Sequence, residues 1–277
     1  RLWPNIKKHQ AKQFIDFGNW TLFGKTLERT KYSIFDSPII STNLKYLKEV
    51  KKHLKKHKIK KYKIVLEPAK MNTGPAMLSA ALINDIPDLQ PLLFLSADHL
   101  MSKENIFYKE IKKHQKYLSN KNIFIFGIKP STPSSEYGYF LTKKIKKVNQ
   151  VTKFIEKPKQ SKATNLIKKK GYWNSGMFFL RKDSITNNFK KYQIKTYNNC
   201  KKAILKSKHI KNIYYLNRLA FIKNTPKSFD YAILEKTKDI NAIKLDIPWS
   251  DLGSWKEICK MFDYNKKYLI KKKNIFY

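Results

Sequence analysis

Polar residues that could bind a sugar phosphate flank a predicted strand, helix and strand in residues 151–180. Glu156 and Lys157 close the first strand just before a proline, and Asn174 opens the second apolar run after a glycine has ended a basic helix. Because open α/β sheets bind ligands at neighbouring strand ends, we expect these side chains to lie close together. A carboxylate and an amide can bracket sugar hydroxyls, while an ammonium can meet a phosphate.

The ordinary alternative for the Glu-Lys-Pro tripeptide is a solvated surface turn, and taken alone the tripeptide favours that interpretation. Trp173 and the apolar run Met177 to Leu180 are expected in the core in either case. The sugar phosphate hypothesis therefore depends on the motifs found elsewhere in the chain.

The elements that must position these residues alternate between strands and helices up to residue 130, which implies right-handed βαβ units and a mainly parallel sheet. An antiparallel pair is predicted afterwards, and then a helical segment and a late strand. The predicted strands are 38–42, 62–66, 92–95, 122–128, 137–141, 148–155 and 242–245, the helical segment is 182–216, and a further helix begins near Pro226. No repeat or linker is evident, so residues 1–277 are expected to form one domain.

The formal charge of +39 would ordinarily indicate nucleic acid or an anionic membrane as a partner. Nearly all of the cationic residues are lysines, however, and they are spread over every segment, whereas phosphate and base recognition favours arginine. We therefore expect nonspecific polyanion binding but no specific nucleic-acid partner. With 42% hydrophobic residues, the chain is expected to fold. The arginines are Arg1, Arg29, Arg181 and Arg218.

The cysteines and the hydropathy pattern suit a cytoplasmic protein. Cys200 and Cys259 stand alone, without the spacing of a disulfide framework or a zinc site. No apolar run approaches the roughly 18 residues that span a bilayer, and no signal peptide opens the sequence. A membrane partner is therefore not expected.

An ordered set of motifs runs along practically the whole chain. In order they are RLWP at the start, KQF at 12–14, EPxxxNTxPA at 67–76, SADH at 96–99, FGIxPxxPxxxYGY from 126, FIEKP at 154–158, YWNSGMF at 172–178, DYAxxEKT from 230 and WSDLGSW at 249–255. Each motif is weak alone, but the ordered set resembles bacterial mannose-1-phosphate guanylyltransferases.

The resemblance implies a Rossmann-like nucleotide-diphospho-sugar transferase fold, with a mixed, mainly parallel sheet flanked by helices and an antiparallel insertion. It also implies the conversion of GTP and α-D-mannose 1-phosphate to GDP-mannose and pyrophosphate. The sugar phosphate attacks the α-phosphorus directly, so catalysis is mostly alignment and charge neutralisation.

The same resemblance implies the roles of individual residues. Asp98 and Asp251, at separate strand ends, are similar to the two aspartates that bind Mg²⁺ in the family, and Arg1 and Lys12 would clamp the triphosphate. Without the family pattern, Asp98 would be a helix cap, Asp251 a turn residue and Lys12 a surface lysine. The remaining roles are nucleotide binding by Glu67, Asn72 and Thr73, and sugar phosphate binding by Gly138, Glu156, Lys157 and Asn174.

Several departures from the family pattern affect this hypothesis. The Gly-rich GGxGT loop and the strand before RLWP are absent, so we expect an N-terminally truncated fragment without full activity. Met71 and Gly74 replace the usual arginine and alanine around Asn72-Thr73, which bears on nucleotide affinity and base choice. By the same comparison we expect the fragment to lack the β-helical region and the isomerase half of bifunctional relatives.

Two other hypotheses remain at this stage. One is a nucleotidyltransferase for another hexose 1-phosphate or nucleotide, and the other is a noncatalytic, basic nucleic-acid-binding protein. The second predicts exposed aromatic residues among the lysines, but Tyr and Phe lie mostly inside apolar runs. A homo-oligomer is left open.

Overall fold

The computed structural model describes residues 11–253, in which two β-sheets and a short strand pair are surrounded by helices. The strands are β1 Ile39–Asn43, β2 Lys63–Glu67, β3 Pro91–Phe94, β4 Leu100–Met101, β5 Ile123–Ile128, β6 Tyr139–Ile145, β7 Val148–Ile155, β8 Tyr172–Arg181, β9 Lys208–Ile210, β10 Ile213–Tyr215, β11 Ile240–Leu245 and β12 Trp249–Ser250. The α-helices are α1 Leu22–Arg29, α2 Leu47–Lys56, α3 Thr73–Ala81, α4 Glu104–Gln115, α5 Gln160–Lys168, α6 Lys182–Tyr192, α7 Ile194–Leu205 and α8 Arg218–Phe221. Short 3₁₀ turns lie at Lys12–Phe14 and Leu44–Tyr46, and a π-helix lies at Asp230–Leu234.

The larger sheet has the strand order β3-β8-β5-β11-β7-β6, and β6 also pairs with β8. The smaller sheet has the order β1-β2-β10-β9, and β12 pairs with β4. All six residues of β5 are buried, as expected for a central strand that is covered on both faces.

The mixed, helix-flanked α/β fold predicted from the sequence is confirmed, and so is the antiparallel insertion, which is the β6–β7 hairpin. The balance of strand directions differs from the prediction. Within residues 11–253 the parallel pairs are β1–β2, β2–β10 and β5–β11, and the antiparallel pairs outnumber them. One cause is β8, which runs antiparallel to β3, β5 and β6 after returning from the insertion.

Two local predictions need correction. Segment 182–216 is helical only as far as Leu205, because the Ile and Tyr residues after it form the β9–β10 hairpin around Lys211, whose φ is +56°. The helix expected near Pro226 is a single stretch of π-helix that begins at Asp230.

Aromatic packing fixes the segment that carries Lys12. The ring of Phe14 lies edge-on to that of Phe23, with centroids 5.5 Å apart, and Phe23 lies in α1. Helix α1 begins where the Thr21 hydroxyl accepts a 2.9 Å hydrogen bond from the Gly24 amide, since threonine is a favourable N-cap. Among the helices of residues 11–253, none is long and apolar enough to cross a membrane.

Candidate active site

Lys12 joins two acidic segments that are far apart in sequence. Its ammonium lies 3.0 Å from Oδ2 of Asp98 and donates a hydrogen bond to the backbone carbonyl of Asp251. The antiparallel pairing of β12 with β4 explains this convergence. Ser250 lies opposite Leu100, and Asp251 directly follows Ser250 while Asp98 comes shortly before Leu100. Three residues that the sequence implicated in phosphate and metal chemistry therefore lie together.

The carboxylate of Asp251 is held by two donors. The hydroxyl of Tyr137 donates to Oδ1 over 2.8 Å, and the Gly253 amide donates to the same oxygen over 3.2 Å. The Tyr137 ring is in turn packed between Trp173 and Trp249, at centroid distances of 4.8 and 5.6 Å. The Asp251 carboxylate thus accepts from the amide two residues on, and Asp251 also belongs, with Lys12 and Asp98, to the group that we call the Lys12 cluster.

His99 packs beside the same aspartates. Its Nε2 lies 3.7 Å from Oδ1 of Asp98, and its ring meets that of Trp249 edge-on at 5.2 Å. Burial lowers the pKa of His99, although the carboxylates of Asp98 and Asp251 oppose this shift. These contacts are those of a packed, structural histidine.

The donor set fits a magnesium ion. Asp98 does not cap the following helix, because Lys103 occupies the N-cap position of α4, so its carboxylate is not engaged there. The Asp98 carboxylate and the Asp251 backbone carbonyl contact the Lys12 ammonium, and hard oxygen atoms of this kind suit Mg²⁺. Within the described part of the chain no cluster of three or more His, Cys, Asp or Glu side chains could hold a metal, so water and substrate phosphates would complete the coordination.

Gly138, Glu156 and Asn174 lie together at the start of β6, the end of β7 and the start of β8, and we call this group of residues the Gly138 cleft. The Asn174 amide nitrogen of the backbone donates to the Gly138 carbonyl over 2.8 Å. A β-carbon at position 138 would lie 2.5 Å from Oε2 of Glu156 and 3.4 Å from the Asn174 β-carbon. Glycine therefore allows the backbone to lie this close to the Glu156 carboxylate, and Gly138 itself is buried.

Glu156 has an unusual environment within this cleft. Burial raises the pKa of Glu156 to about 7, repulsion from Asp230 and Glu235 adds to the shift, and Lys157 opposes it. Its Oε2 atom is buried and has no hydrogen-bond partner among the described residues. Lys157 itself is exposed, with φ at +44°. A ligand that donates hydroxyl groups would satisfy this carboxylate.

Asp230 is a cleft residue for which the sequence gave no role. Its Oδ1 accepts a 2.8 Å hydrogen bond from Nδ2 of Asn174. The only sequence signal was its position in the DYAxxEKT motif, because no local pattern brings it to residue 174.

The predicted nucleotide residues Asn72 and Thr73 form the start of α3. Asn72 caps the helix with φ at +67°, and its Oδ1 accepts from the Thr73 amide over 2.8 Å. The Thr73 hydroxyl accepts from the Phe229 amide over 3.0 Å, and Gly74 donates to the Lys227 carbonyl over 3.1 Å. This loop therefore contacts the segment that carries Asp230, and links the predicted nucleotide site to the Gly138 cleft.

The same contact explains one departure from the family pattern. A β-carbon at Gly74 would lie 2.7 Å from the Lys227 carbonyl oxygen, so the usual alanine would require the backbone to move. Nothing in the structure explains Met71 at the neighbouring position.

Glu67 lies at the end of β2, where its carboxylate accepts from the Ser41 hydroxyl over 2.7 Å and its carbonyl from Asn43 over 3.0 Å. Burial raises the pKa of Glu67, and the Ser41 hydrogen bond opposes the shift. Its hydrogen bonds thus run within the smaller sheet. Arg1, the other predicted catalytic cation, lies outside the described residues.

This α/β fold with its Lys12 cluster and Gly138 cleft defines a nucleotidyltransferase architecture. The family model described as Nucleotidyl transferase matches residues 1–267, and the chain belongs to that family. A crystal structure from Thermus thermophilus, described as mannose-1-phosphate geranyltransferase, shares the fold, with a TM-score of 0.81 at 21% identity over 95% of this chain and 76% of that one.

Sequence relatives define the branch within the family. The chain is 32% identical to the mannose-1-phosphate guanylyltransferase of Escherichia coli, over 93% of this chain and 56% of the relative. It is 31% identical to the alginate biosynthesis protein AlgA of Pseudomonas aeruginosa, over 93% of this chain and 55% of the relative. The resemblance to mannose-1-phosphate guanylyltransferases is therefore confirmed, and the chain spans about half the length of the curated relatives it matches.

Proposed function

We propose that the protein is a mannose-1-phosphate guanylyltransferase, which forms GDP-mannose and pyrophosphate from GTP and α-D-mannose 1-phosphate. The observation that carries this proposal is the convergence of Lys12, Asp98 and Asp251 in a chain whose relatives bear that name. The Gly138 cleft adds a second, polar site that suits a hexose. In this proposal the Lys12 cluster and the Gly138 cleft belong to one nucleotidyltransferase domain.

The reaction is a direct displacement at phosphorus. A phosphate oxygen of mannose 1-phosphate attacks the α-phosphorus of GTP, and the bond from that phosphorus to the bridging oxygen of pyrophosphate breaks, so that the electron pair leaves with pyrophosphate. Asp98 and Asp251 would hold Mg²⁺, which when bound supplies charge neutralisation to the phosphates. Lys12, and Arg1 on the basis of sequence alone, meet the triphosphate and stabilise the charge that develops on the leaving group.

The Gly138 cleft aligns the sugar for this attack. Glu156 accepts hydrogen bonds from hexose hydroxyls, Asn174 offers its amide, and the Gly138 backbone approaches the ring closely. Lys157 extends a positive charge toward the sugar phosphate. Alignment of this kind lowers the entropic part of the barrier, and it acts together with the stabilisation of charge on the leaving group.

The nucleotide binds, in this proposal, at the start of α3. Asn72 and Thr73 lie at the start of a helix, where the helix dipole favours an anion. The hydrogen bonds from this loop to residues 227–230 then fix the position of the nucleotide relative to the hexose.

The proposal is tested with the complete gene product, in a grid of four nucleoside triphosphates and several hexose 1-phosphates, by measuring pyrophosphate release in the presence of Mg²⁺. Release that is restricted to GTP with mannose 1-phosphate is the expected result. Release with another pair would show that the protein catalyses nucleotidyl transfer with substrates other than GTP and mannose 1-phosphate. No release with any pair, from a protein that melts cooperatively, would contradict an enzymatic role.

A further inference from the structure

The side-chain amide of Asn174 is held on both of its sides. Nδ2 donates to Oδ1 of Asp230 over 2.8 Å, and the Asn174 side-chain oxygen accepts from the Gly176 amide over 3.3 Å. If the amide were turned over, its oxygen would face the Asp230 carboxylate and its NH₂ group would face an N–H donor. The two partners therefore permit only one orientation of the amide.

Asp230 is itself fixed in place. It is the first residue of the π-helix Asp230–Leu234, and the Phe229 amide just before it is bonded to the Thr73 hydroxyl. Burial raises the pKa of Asp230, while hydrogen bonds from its own backbone amide and from Asn174, and the charge of Lys157, oppose the shift. Single turns of π-helix are rare and occur often at functional sites.

Asp230 also acts electrostatically on the opposite wall of the Gly138 cleft. After burial, its repulsion is the largest contribution to the raised pKa of Glu156. Asn174 thus bonds to Asp230, whose carboxylate repels that of Glu156. Oε2 of Glu156 has no hydrogen-bond partner among the described residues. Neutral hydroxyl donors suit such a cleft, since they satisfy carboxylates without adding negative charge.

We propose that Asp230 is a positioning residue for hexose recognition, which holds the Asn174 amide so that its second N–H and its remaining carbonyl lone pair are presented to the sugar hydroxyls in a fixed pattern. This inference rests on the proposed function of the same site. It assigns to Asp230 a role that runs through Asn174, and it requires no contact between Asp230 and the sugar.

A double-mutant cycle tests this role. Asp230→Asn places an amide against the Asn174 amide, so either orientation becomes accessible and we expect KM for mannose 1-phosphate to rise about tenfold, the cost of one charge-assisted hydrogen bond. We expect kcat and KM for GTP to change less than about twofold, since the reacting groups keep their positions. Asp239→Asn, a change at an exposed aspartate after the same helix, is the matched control and should leave every constant as it is.

The cycle is completed with Asn174→Ala alone and combined with Asp230→Asn. If Asp230 acts through Asn174, the second substitution has no further effect on KM once the amide is gone. Asn174→Ser, which leaves a smaller cavity, provides the same cycle if the alanine variant does not fold. A purified wild-type protein without transferase activity would overturn the proposed function. If the wild type is active, two results would overturn this inference alone: additive effects of the two substitutions on KM for mannose 1-phosphate, or the same KM for Asp230→Asn as for Asp239→Asn.

Discussion

The hydroxyl of Tyr137 donates a 2.8 Å hydrogen bond to Oδ1 of Asp251, across 114 residues of sequence. The next residue is Gly138, whose carbonyl accepts from the backbone amide of Asn174. The Gly138 cleft is therefore connected through Tyr137 to Asp251, whose backbone carbonyl accepts a hydrogen bond from Lys12. This contact joins the proposed phosphate site to the proposed sugar site.

Tyr137→Phe should weaken the proposed metal site without unfolding the protein. The ring keeps its packing between two tryptophans, but the Asp251 carboxylate loses a donor worth about 1 kcal/mol or more. We expect the Mg²⁺ concentration for half-maximal rate, and the dissociation constant for Mn²⁺ measured by calorimetry, to rise roughly three- to tenfold.

Tyr139→Phe is the matched control, because Tyr139 uses its hydroxyl to accept from the Ser134 amide over 2.9 Å and makes no such bond to Asp251. It should leave metal affinity unchanged. Equal metal affinities for the two variants would show that the Tyr137 hydroxyl does not shape the site.

Lys12→Met should reduce kcat about 10²- to 10³-fold, the typical loss when one charge-stabilising group is removed from an active site. The melting temperature should change little, because the Lys12–Asp98 pair is partly exposed and such pairs contribute at most about 1 kcal/mol. Lys25→Met, which breaks a similar 3.1 Å surface pair with Glu28, serves as the control. A Lys12 variant with the turnover of the Lys25 variant would refute the catalytic assignment.

Gly138→Ala should impair sugar binding selectively. The new methyl group would lie 2.5 Å from Oε2 of Glu156, so the flexible carboxylate must swing away from its position in the cleft. We expect KM for mannose 1-phosphate to rise at least about tenfold while KM for GTP stays within about twofold, in the range of one lost charged hydrogen bond. Steady-state kinetics with each substrate varied in turn give both constants, and equal effects on the two would argue against a hexose at Gly138.

The pKa of Glu156, raised by burial to about 7, predicts a pH-dependent stability. Because the folded carboxyl binds its proton more tightly than the unfolded one, whose pKa is near 4.5, the contribution of this group to stability falls as pH rises from about 4.5 to 7. Glu156→Gln removes the ionisation, so its stability relative to wild type should improve by on the order of 1 kcal/mol between pH 5 and pH 8, after allowance for the solvent contact of this side chain.

Melting temperatures of the two proteins at pH 5 and pH 8 measure this effect, which corresponds to a few degrees for a protein of this size. Asp230, Glu235 and Lys157 are the charged groups that act on Glu156 and are unchanged in the variant. A difference between the two proteins that is the same at both pH values would mean that Glu156 titrates normally.

Local signals explain why much of the fold could be predicted. Residues 151–180 form the predicted strand, helix and strand, with β7 ending at Ile155, α5 ending before Gly171 and β8 beginning at Tyr172. Proline, glycine and the spacing of apolar residues act within a few positions of the chain, so they can be read without knowing the tertiary structure.

The rest depends on pairings between distant segments. The bond from Asn174 to Asp230 and the meeting of Lys12 with Asp98 require particular strand neighbours, and no local pattern specifies these. The antiparallel direction of β8 was missed for the same reason, since both strand directions share the same alternation of side chains. The role of Asp230 becomes visible only when the cleft is assembled.

The most direct measurement is GDP-mannose formation from GTP and mannose 1-phosphate by Asp251→Asn, compared with wild type and with Asp246→Asn, a control at a nearby exposed aspartate. Wild type and the Asp246 variant should form the product in a Mg²⁺-dependent reaction. The Asp251 variant should form none while melting at the wild-type temperature, because it loses the carboxylate proposed to bind Mg²⁺ but keeps its backbone contacts. An Asp251 variant that forms GDP-mannose at the wild-type rate would contradict the assignment of this site.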